Sequence, residues 1–144
     1  MNEQNLKNHT KFVPTFHFFV LPILVINLVS SIYRAIHMGL SFASVFGVLV
    51  AAALLVLAFH ARLFALAVQD RVIRLEEHLR YERVLPEELR RRADELTTNQ
   101  FVSLRFASDA ELLQLMRKVL DDKLNDRKAI KQLIRNWRPD YLRA

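Results

Sequence analysis

The chain of 144 residues contains no cysteine, and it has only two glycines and four prolines. Without cysteine it can form neither a disulfide framework nor a metal site built on thiolates. Two isolated glycines cannot make a glycine-rich phosphate loop or a dinucleotide-binding turn. The Ser-His-Asp, HExxH and nucleophile-elbow patterns are missing as well. We therefore expect a protein without enzymatic activity.

Acidic residues and lysine are absent from two long apolar segments, residues 16–36 and 41–61. Each segment has about 20 residues, the length that a helix needs to cross a hydrocarbon core of roughly 30 Å. Arg34 lies near the end of the first, where its stem can reach the headgroups. The sequence therefore predicts two transmembrane helices. The alternative, two core helices of a soluble protein, is disfavoured because the remaining chain is too short and too charged to enclose them.

Only residues 37–40 separate the two predicted spans, so we expect an antiparallel hairpin with a short outer loop. Gly39 suits the left-handed position that ends a helix, and Ser41 suits the N-cap of the next one. A cleaved signal peptide is the alternative for the first segment, but no A-x-A cleavage pattern follows it and a second span begins almost at once.

The distribution of charge predicts the orientation of the hairpin. Residues 62–144 carry 18 Lys and Arg against 14 Asp and Glu, and residues 1–15 carry two Lys against one Glu. Because positive residues near a membrane stay in the cytoplasm, both termini are expected there. The net charge of +6 is thus interpreted as a signal of topology.

Small side chains follow one stripe of the second segment, at Ala43, Gly47, Ala51 and Ala58. In lipid, helices associate through close packing of such residues and through buried polar groups. Asn27, near the middle of the first segment, is a polar group of this kind. We predict that these residues form a helix-packing or oligomer face.

An oligomeric transport or pore element is an alternative function. It requires a polar stripe along a span, and a partial one is present in the outer half of the first segment. Its members are Asn27, Ser30, Ser31 and Arg34.

A haem- or metal-binding membrane protein is a further alternative. His17 and His60 fall at similar depths on the two spans, and paired histidines on facing helices hold such groups. Two ligands without a carboxylate nearby favour ordinary interfacial histidines, so we predict no cofactor and no metal.

The second span is predicted to continue as a helix to about residue 84. Its apolar positions, which form one face, are Leu66, Val72 or Ile73, and Leu79, and we expect the ion pairs Glu76–Arg80 and Asp70–Arg74. The other face is formed by Gln69, Asp70, Glu76, Glu77, Arg80 and Arg83. A coiled-coil stem is an alternative, although the segment lacks three clean heptads.

Residues 85–144 are predicted to form a small cytoplasmic helical domain. Its segments are Pro86–Leu96, a helix from Thr97 or Thr98 to Phe106, a helix opened by the capping box of Ser108 and Glu111 and ending near Leu124, and a helix from Asn125 to Trp137. About 60 residues in short helices are marginally stable alone, which favours packing against a partner.

Two further features carry weaker alternatives. Arg90–Arg92 invites a nucleic-acid interpretation, but interspersed acidic residues favour a solvated helix face. Glu76, Glu77, His78 and Glu82 suggest a metal, although a carboxylate-bridged site needs a second such motif.

Several strings resemble a bacterial family of small two-span membrane proteins that is classed as a domain of unknown function. They are residues 7–10, 12–14, 17–18, 104–109, 111–112, 130–131 and 136–140. The resemblance implies a bacterial inner-membrane protein and carries over no activity. Within these strings, Arg105, Phe106, Asp109, Trp137 and Asp140 are our candidates for a cytoplasmic interaction site.

The sequence therefore predicts an all-α integral membrane protein in which a two-helix hairpin with a continuous second helix carries a small cytoplasmic helical tail. Its parts are an N-terminal strip (1–15), the first span (16–36), the loop (37–40), the second span (41–61) extended to about 84, and the helical domain (85–144). We expect a scaffold or accessory subunit that contacts the bilayer and either itself or other membrane subunits, and neither nucleic acid nor an identified small-molecule substrate.

Overall fold

A computed structural model describes residues 5–6 and 13–140. In these residues the regular secondary structure is helical, and the only extended pairing described is an isolated bridge between Ala107 and Trp137. The predicted all-α fold is confirmed. The helices are α1 (Leu21–His37), α2 (Phe42–Val84), α3 (Glu87–Arg92), α4 (Thr98–Leu104), α5 (Asp109–Asp121) and α6 (Arg127–Gln132).

A π-helical turn, Thr15–Val20, precedes α1. Pro22 stands in the first turn of α1 and has no N–H to donate to the carbonyl four residues earlier. The wider π turn accommodates this loss, and the Leu21 N–H bonds to the Phe16 carbonyl. Together the turn and α1 form one helical stretch of 23 residues, Thr15–His37.

The link between α1 and α2 has the geometry expected from its residues. Gly39 adopts φ +94°, a left-handed conformation that suits glycine. The Ser41 hydroxyl accepts a hydrogen bond from the Ser44 N–H at 3.1 Å, which caps the start of α2. Both details of the predicted link are therefore confirmed.

The helix α2 is continuous over 43 residues, in agreement with its predicted extension to about residue 84. The described residues fall into two compact units, and residue 65 of α2 is the last of the first unit. We call residues 13–65 the hairpin unit and residues 66–140 the tail unit. In the hairpin unit the buried residues are all small: Ser31, Ala35 and Ala51.

The tail unit has a hydrophobic core to which the end of α2 and all four later helices contribute. In it the ring of Tyr81, from α2, stacks on that of Phe101, from α4, with 5.7 Å between the centroids. Burial of these side chains gives the short helices the stability that none has alone. The buried core residues are Tyr81, Leu85, Leu89, Ala93, Leu96, Phe101, Leu104, Phe106, Ala107, Leu112, Leu115, Met116, Val119, Leu120, Ile130 and Ile134.

The inward face of α2 in the tail unit differs from the prediction. Ile73, Glu77 and Arg80 are buried, whereas Val72 and Leu79 are exposed. The separation of Glu77 and Arg80 from the apolar face was therefore wrong, because both are buried together with Ile73. These charged groups are buried because later segments supply ion-pair partners, described below.

The predicted ion pairs along α2 also differ from those observed. Asp70 bonds to Arg127, with 3.2 Å between carboxylate and guanidinium. Arg80 pairs with Glu77 at 3.0 Å, and not with Glu76 as predicted.

The last helix begins and ends earlier than predicted. Asp126, and not Asn125, is its N-cap, and its carboxylate accepts the Ala129 N–H at 2.7 Å. The helix ends at Gln132 and does not continue to Trp137. Its end is explained by the carboxylate of Glu111, which accepts the N–H groups of residues 135 and 136 and so removes them from helical hydrogen bonding.

Two other helix ends shift by a few residues. The predicted helix over residues 86–96 is α3 followed by a 3₁₀ turn, Ala93–Glu95. The helix α5 ends at Asp121 because Lys123 takes φ +50° and the Leu124 N–H turns back to the Val119 carbonyl at 3.0 Å. The predicted capping box of Ser108 and Glu111 is confirmed.

Candidate functional site

Two segments that the sequence singled out lie side by side in the tail unit. We call residues 104–109 and 136–140 the motif pair. The Ser108 N–H donates to the Asn136 carbonyl at 3.0 Å, and the Arg138 N–H donates to the Phe106 carbonyl at 2.7 Å. These bonds surround the bridge between Ala107 and Trp137. The backbone of the motif pair is thus fixed in register.

Side chains reinforce the motif pair. The rings of Phe106 and Trp137 lie 5.0 Å apart between centroids, and the guanidinium of Arg105 lies 4.5 Å from the Phe106 centroid. Arg105 also forms an ion pair with Asp140, with 3.3 Å between Nε and Oδ2. Phe106 and Arg105 are buried. Arg105, Phe106, Trp137 and Asp140 are four of the five candidate interaction residues, and the contacts described here join them to one another.

Arg80 joins α2 to the motif pair, which includes the fifth candidate, Asp109. Its Nη2 donates to the Ala107 carbonyl at 2.7 Å and its Nε donates to the Asp109 carboxylate at 2.7 Å. Its Nη1 donates to Glu77 at 3.0 Å. The Arg80 side chain is only 5% exposed, so three acceptors are arranged around one buried guanidinium. Such a fork of donors is a geometry that arginine satisfies and lysine does not.

Glu77 connects the second segment of the motif pair to the same network. Its other oxygen accepts from Arg138 Nη1 at 3.1 Å. Burial raises the pKa of the Glu77 carboxyl above its usual 4.5, and the guanidinium groups of Arg80 and Arg138 oppose part of that rise. We call Glu77, Arg80, Asp109 and Arg138 the ion network. It holds two charges of each sign and ties both motif segments to α2.

The raised pKa of Glu77 gives a pH dependence with a defined sign. Because the folded state holds this proton more tightly than the unfolded state, the resulting stabilisation is complete below pH 4.5 and is lost as the pH rises through the folded pKa. The free energy of unfolding of the native protein minus that of Glu77→Gln should therefore fall as the pH rises from 4.5, by at most about 1.4 kcal/mol per unit. Urea titrations of both proteins across this range measure it. A flat or rising difference contradicts the assignment.

A cleft of about 560 Å³ opens beside the ion network. Charged groups of both signs line it, and several are exposed at its rim, among them Glu76, Arg83 and Arg138. Ile73, Leu79 and Pro139 add apolar surface to the same lining.

The predicted helix-packing residues of the hairpin unit have different environments. Ala51 is buried, Gly47 and Ala58 are half-buried, and Ala43 is exposed. A Cβ added at Gly47 would meet no atom within 4 Å, so the hairpin unit itself does not need glycine there. Asn27 is exposed on α1. Gly47 lines a cleft together with Ser31 and Arg34 of α1. The hairpin unit leaves Asn27 accessible to another helix.

His17 and His60 each contact a backbone carbonyl four residues earlier in the chain. The Nδ1 atom of His17 lies 2.9 Å from the Val13 carbonyl oxygen, and that of His60 lies 3.0 Å from the Val56 carbonyl oxygen. Among residues 5–6 and 13–140, no group of three or more His, Asp or Glu is placed to hold a metal ion.

Sequence reasoning considered Glu77 only as a candidate metal ligand, and it missed Arg80 and Arg138 as members of a site. A signal for the first two was present, because residues 73, 77, 80 and 81 recur on one helical face and include Ile73 and Tyr81. The contact partners lie 27 to 61 residues further along the chain. The pattern of one helix could not reveal them.

Comparisons with known proteins place the chain in a family without adding a function. No curated protein and no solved structure matches it. A family model does match, over residues 1–144, and its description is a family of unknown function. The resemblance seen in the sequence is thereby confirmed at the level of the family. The chain belongs to this family of unknown function, DUF6526.

Proposed function

We propose that the protein is a non-enzymatic scaffold or accessory subunit of the bacterial inner membrane. In this proposal the hairpin unit spans the bilayer, both termini lie in the cytoplasm, and the tail unit is held by α2 on the cytoplasmic side. The protein assembles through its spans and its tail unit, either with itself or with other membrane subunits.

The observation that carries the proposal is the exposure of apolar surface in two long helices. Thr15–His37 and Phe42–Val84 are long and apolar enough to cross a membrane, and only 6% of the most apolar window of each is buried within the chain. Core helices of a soluble protein would be mostly buried. Side chains such as Phe18, Ile26 and Leu57 are at least 63% exposed and require an apolar surrounding, which lipid supplies.

The positions of Asn27 and Gly47 support assembly within the membrane. Asn27 presents an amide in the middle of α1, where hydrocarbon offers no hydrogen-bond partner. Gly47 lines a cleft with Ser31 and Arg34 of α1, where the absence of a side chain permits close approach of a neighbouring helix. A second subunit would supply a hydrogen-bond partner for Asn27.

Single-cysteine labelling tests the membrane topology directly, because the native chain contains no cysteine. Leu40→Cys places a thiol in the predicted outer loop, and Gln114→Cys places one on an exposed position of α5. We expect a membrane-impermeant maleimide to label Leu40→Cys in spheroplasts and Gln114→Cys only after permeabilisation. Labelling of both variants in intact spheroplasts, or recovery of the protein in the soluble fraction, contradicts the proposal.

Substitution of Gly47 tests assembly through the spans. Gly47→Ile fills the open space beside α2 and should reduce the recovery of the assembled form from mild detergent at least about tenfold, a change of about 1.4 kcal/mol in association. Gly47→Ala is the matched control and should reduce it much less. Native mass spectrometry measures both. Equal assembly of the isoleucine variant and the native protein contradicts a role for this face.

A further inference from the structure

The cytoplasmic part of α2 has an exposed apolar stripe on the side away from the tail core. Val68, Val72, Leu75 and Leu79 are between 47% and 63% exposed, and all four belong to the tail unit. We call them the apolar seam. On the opposite side of the same turns, Ile73, Glu77 and Tyr81 are buried. The helix therefore has apolar side chains on both its buried and its exposed side, whereas an ordinary surface helix exposes mostly polar ones.

The spacing of the apolar seam is that of a coiled coil. Its members are separated by four, three and four residues, so that Val72 and Leu79 occupy a positions and Val68 and Leu75 occupy d positions. Val72 at a with Leu75 at d is the combination that favours two parallel strands, whereas Val68 at d and Leu79 at a are the reverse combination. The choice of two parallel strands therefore depends on the charges beside the seam. The seam covers less than two heptads and is too short to associate alone, so it requires helices that are already held together.

The charges beside the seam match a second copy of the same chain. Arg71 falls at the g position before Val72, and Glu76 falls at the e position after Leu75. In a parallel pair, a g residue faces the e residue of the following heptad in the partner, five positions later. Arg71 would thus face Glu76 of the second copy, and the pairing occurs twice by symmetry. Both residues are exposed.

Lipid does not account for the whole seam. If the second span ends near residue 61, Leu79 lies about 27 Å further along the helix axis, at 1.5 Å per residue. That distance carries Leu75 and Leu79 beyond the hydrocarbon when α2 leaves the membrane near its normal. Because all copies inserted with one topology have α2 running in the same direction, two of them would pair in the parallel arrangement that the charges favour.

We propose that a second copy of this chain covers the apolar seam, as a short parallel coiled coil that continues the membrane-spanning part of α2. The proposal rests on the proposed membrane insertion and identifies one partner within it.

Oxidative crosslinking of single-cysteine variants in native membranes tests this proposal. Val68→Cys, Val72→Cys, Leu75→Cys and Leu79→Cys should each give a disulfide-linked dimer, because equivalent a and d positions meet in a parallel pair. Arg74→Cys is the matched control: it is exposed on the same turns but faces away from the seam, and its dimer yield should be at least about tenfold lower. Unchanged fluorescence of the single Trp137 verifies that each variant is folded.

Charge reversal provides a second test of the seam pairing. Arg71→Glu alone and Glu76→Arg alone place like charges together and should each lower the dimer yield of Leu75→Cys about fivefold, and the two changes combined should restore it. Crosslinking at a single seam position would indicate an antiparallel pair of helices. The absence of any seam crosslink, or a dimer yield no higher than that of Arg74→Cys, would show that the two seams do not pair. Either result overturns the proposal. If Gly47→Ile disrupts assembly while the seam cysteines stay unlinked, the proposed function stands and the seam pairing fails.

Discussion

Replacing Arg80 with alanine should lower the free energy of unfolding of the tail unit by about 3–5 kcal/mol, because the Glu77 carboxylate and the Ala107 carbonyl lose a buried donor. Glu77 would keep only Arg138 as a partner while remaining 5% exposed, and the Ala107 carbonyl would lose its bond from Nη2. A loss of this size is comparable with the total stability of a small domain. The tail unit should therefore be mostly unfolded under conditions in which the native protein is folded.

Urea unfolding in detergent, followed by the fluorescence of Trp137, measures this effect, since that tryptophan packs on Phe106 in the motif pair. Arg83→Ala is the matched control. Arg83 lies three residues further along α2, is exposed, and its described bond goes to the Leu79 carbonyl at 3.3 Å. Its removal should change stability by less than about 0.5 kcal/mol. Equal effects of the two substitutions would refute the anchoring role of Arg80.

The second large effect is expected at Phe106. This side chain is fully buried, contacts Trp137, and lies beneath the cationic groups of Arg105 and Lys131. Phe106→Ala removes the ring that all three contact and leaves a cavity, so we expect a loss of about 3–5 kcal/mol. Release of the motif pair should also increase proteolysis after the arginines of residues 135–138.

Phe106→Leu separates packing volume from the aromatic contacts. Because leucine refills most of the space, its loss should be about 1–2 kcal/mol, part of it due to the missing cation–π contacts. The same urea titration compares both variants. If leucine destabilises as much as alanine, the ring contacts and not the filled volume hold the motif pair together.

Local signals predicted many features of the fold correctly. The left-handed Gly39, the cap at Ser41 and the capping box of Ser108 and Glu111 depend on neighbours within a few residues, which the sequence displays directly. The length of α2 was predictable for the same reason, since no glycine or proline interrupts it between Gly47 and Val84.

Features that depend on distant contacts were not predictable from one sequence. The pattern of α2 placed Leu79 on an apolar face and Arg80 on the opposite, polar face, and of two such faces the apolar one is usually buried. Asp109 and Arg138 reverse this outcome by supplying opposite charges and hydrogen bonds to the buried side of α2. The early end of α6 has the same kind of cause, since Glu111 removes N–H groups from a segment 24 residues away.

The candidate interaction residues show what short sequence motifs alone can identify. Arg105, Phe106, Asp109, Trp137 and Asp140 were selected as distinctive residues, and the structure gathers them in one place. Most of their contacts are internal: they fix the motif pair and join it to α2. The apolar seam that we propose for a second copy adjoins the cleft beside them, since Leu79 belongs to both.

Native mass spectrometry of the protein released from its own membranes in mild detergent tests the central claim most directly. The account predicts an assembled species, either two or more copies of this chain or this chain bound to another membrane subunit at a fixed ratio. Recovery of a stable monomer alone, under conditions in which the Trp137 fluorescence shows a folded tail unit, would contradict it.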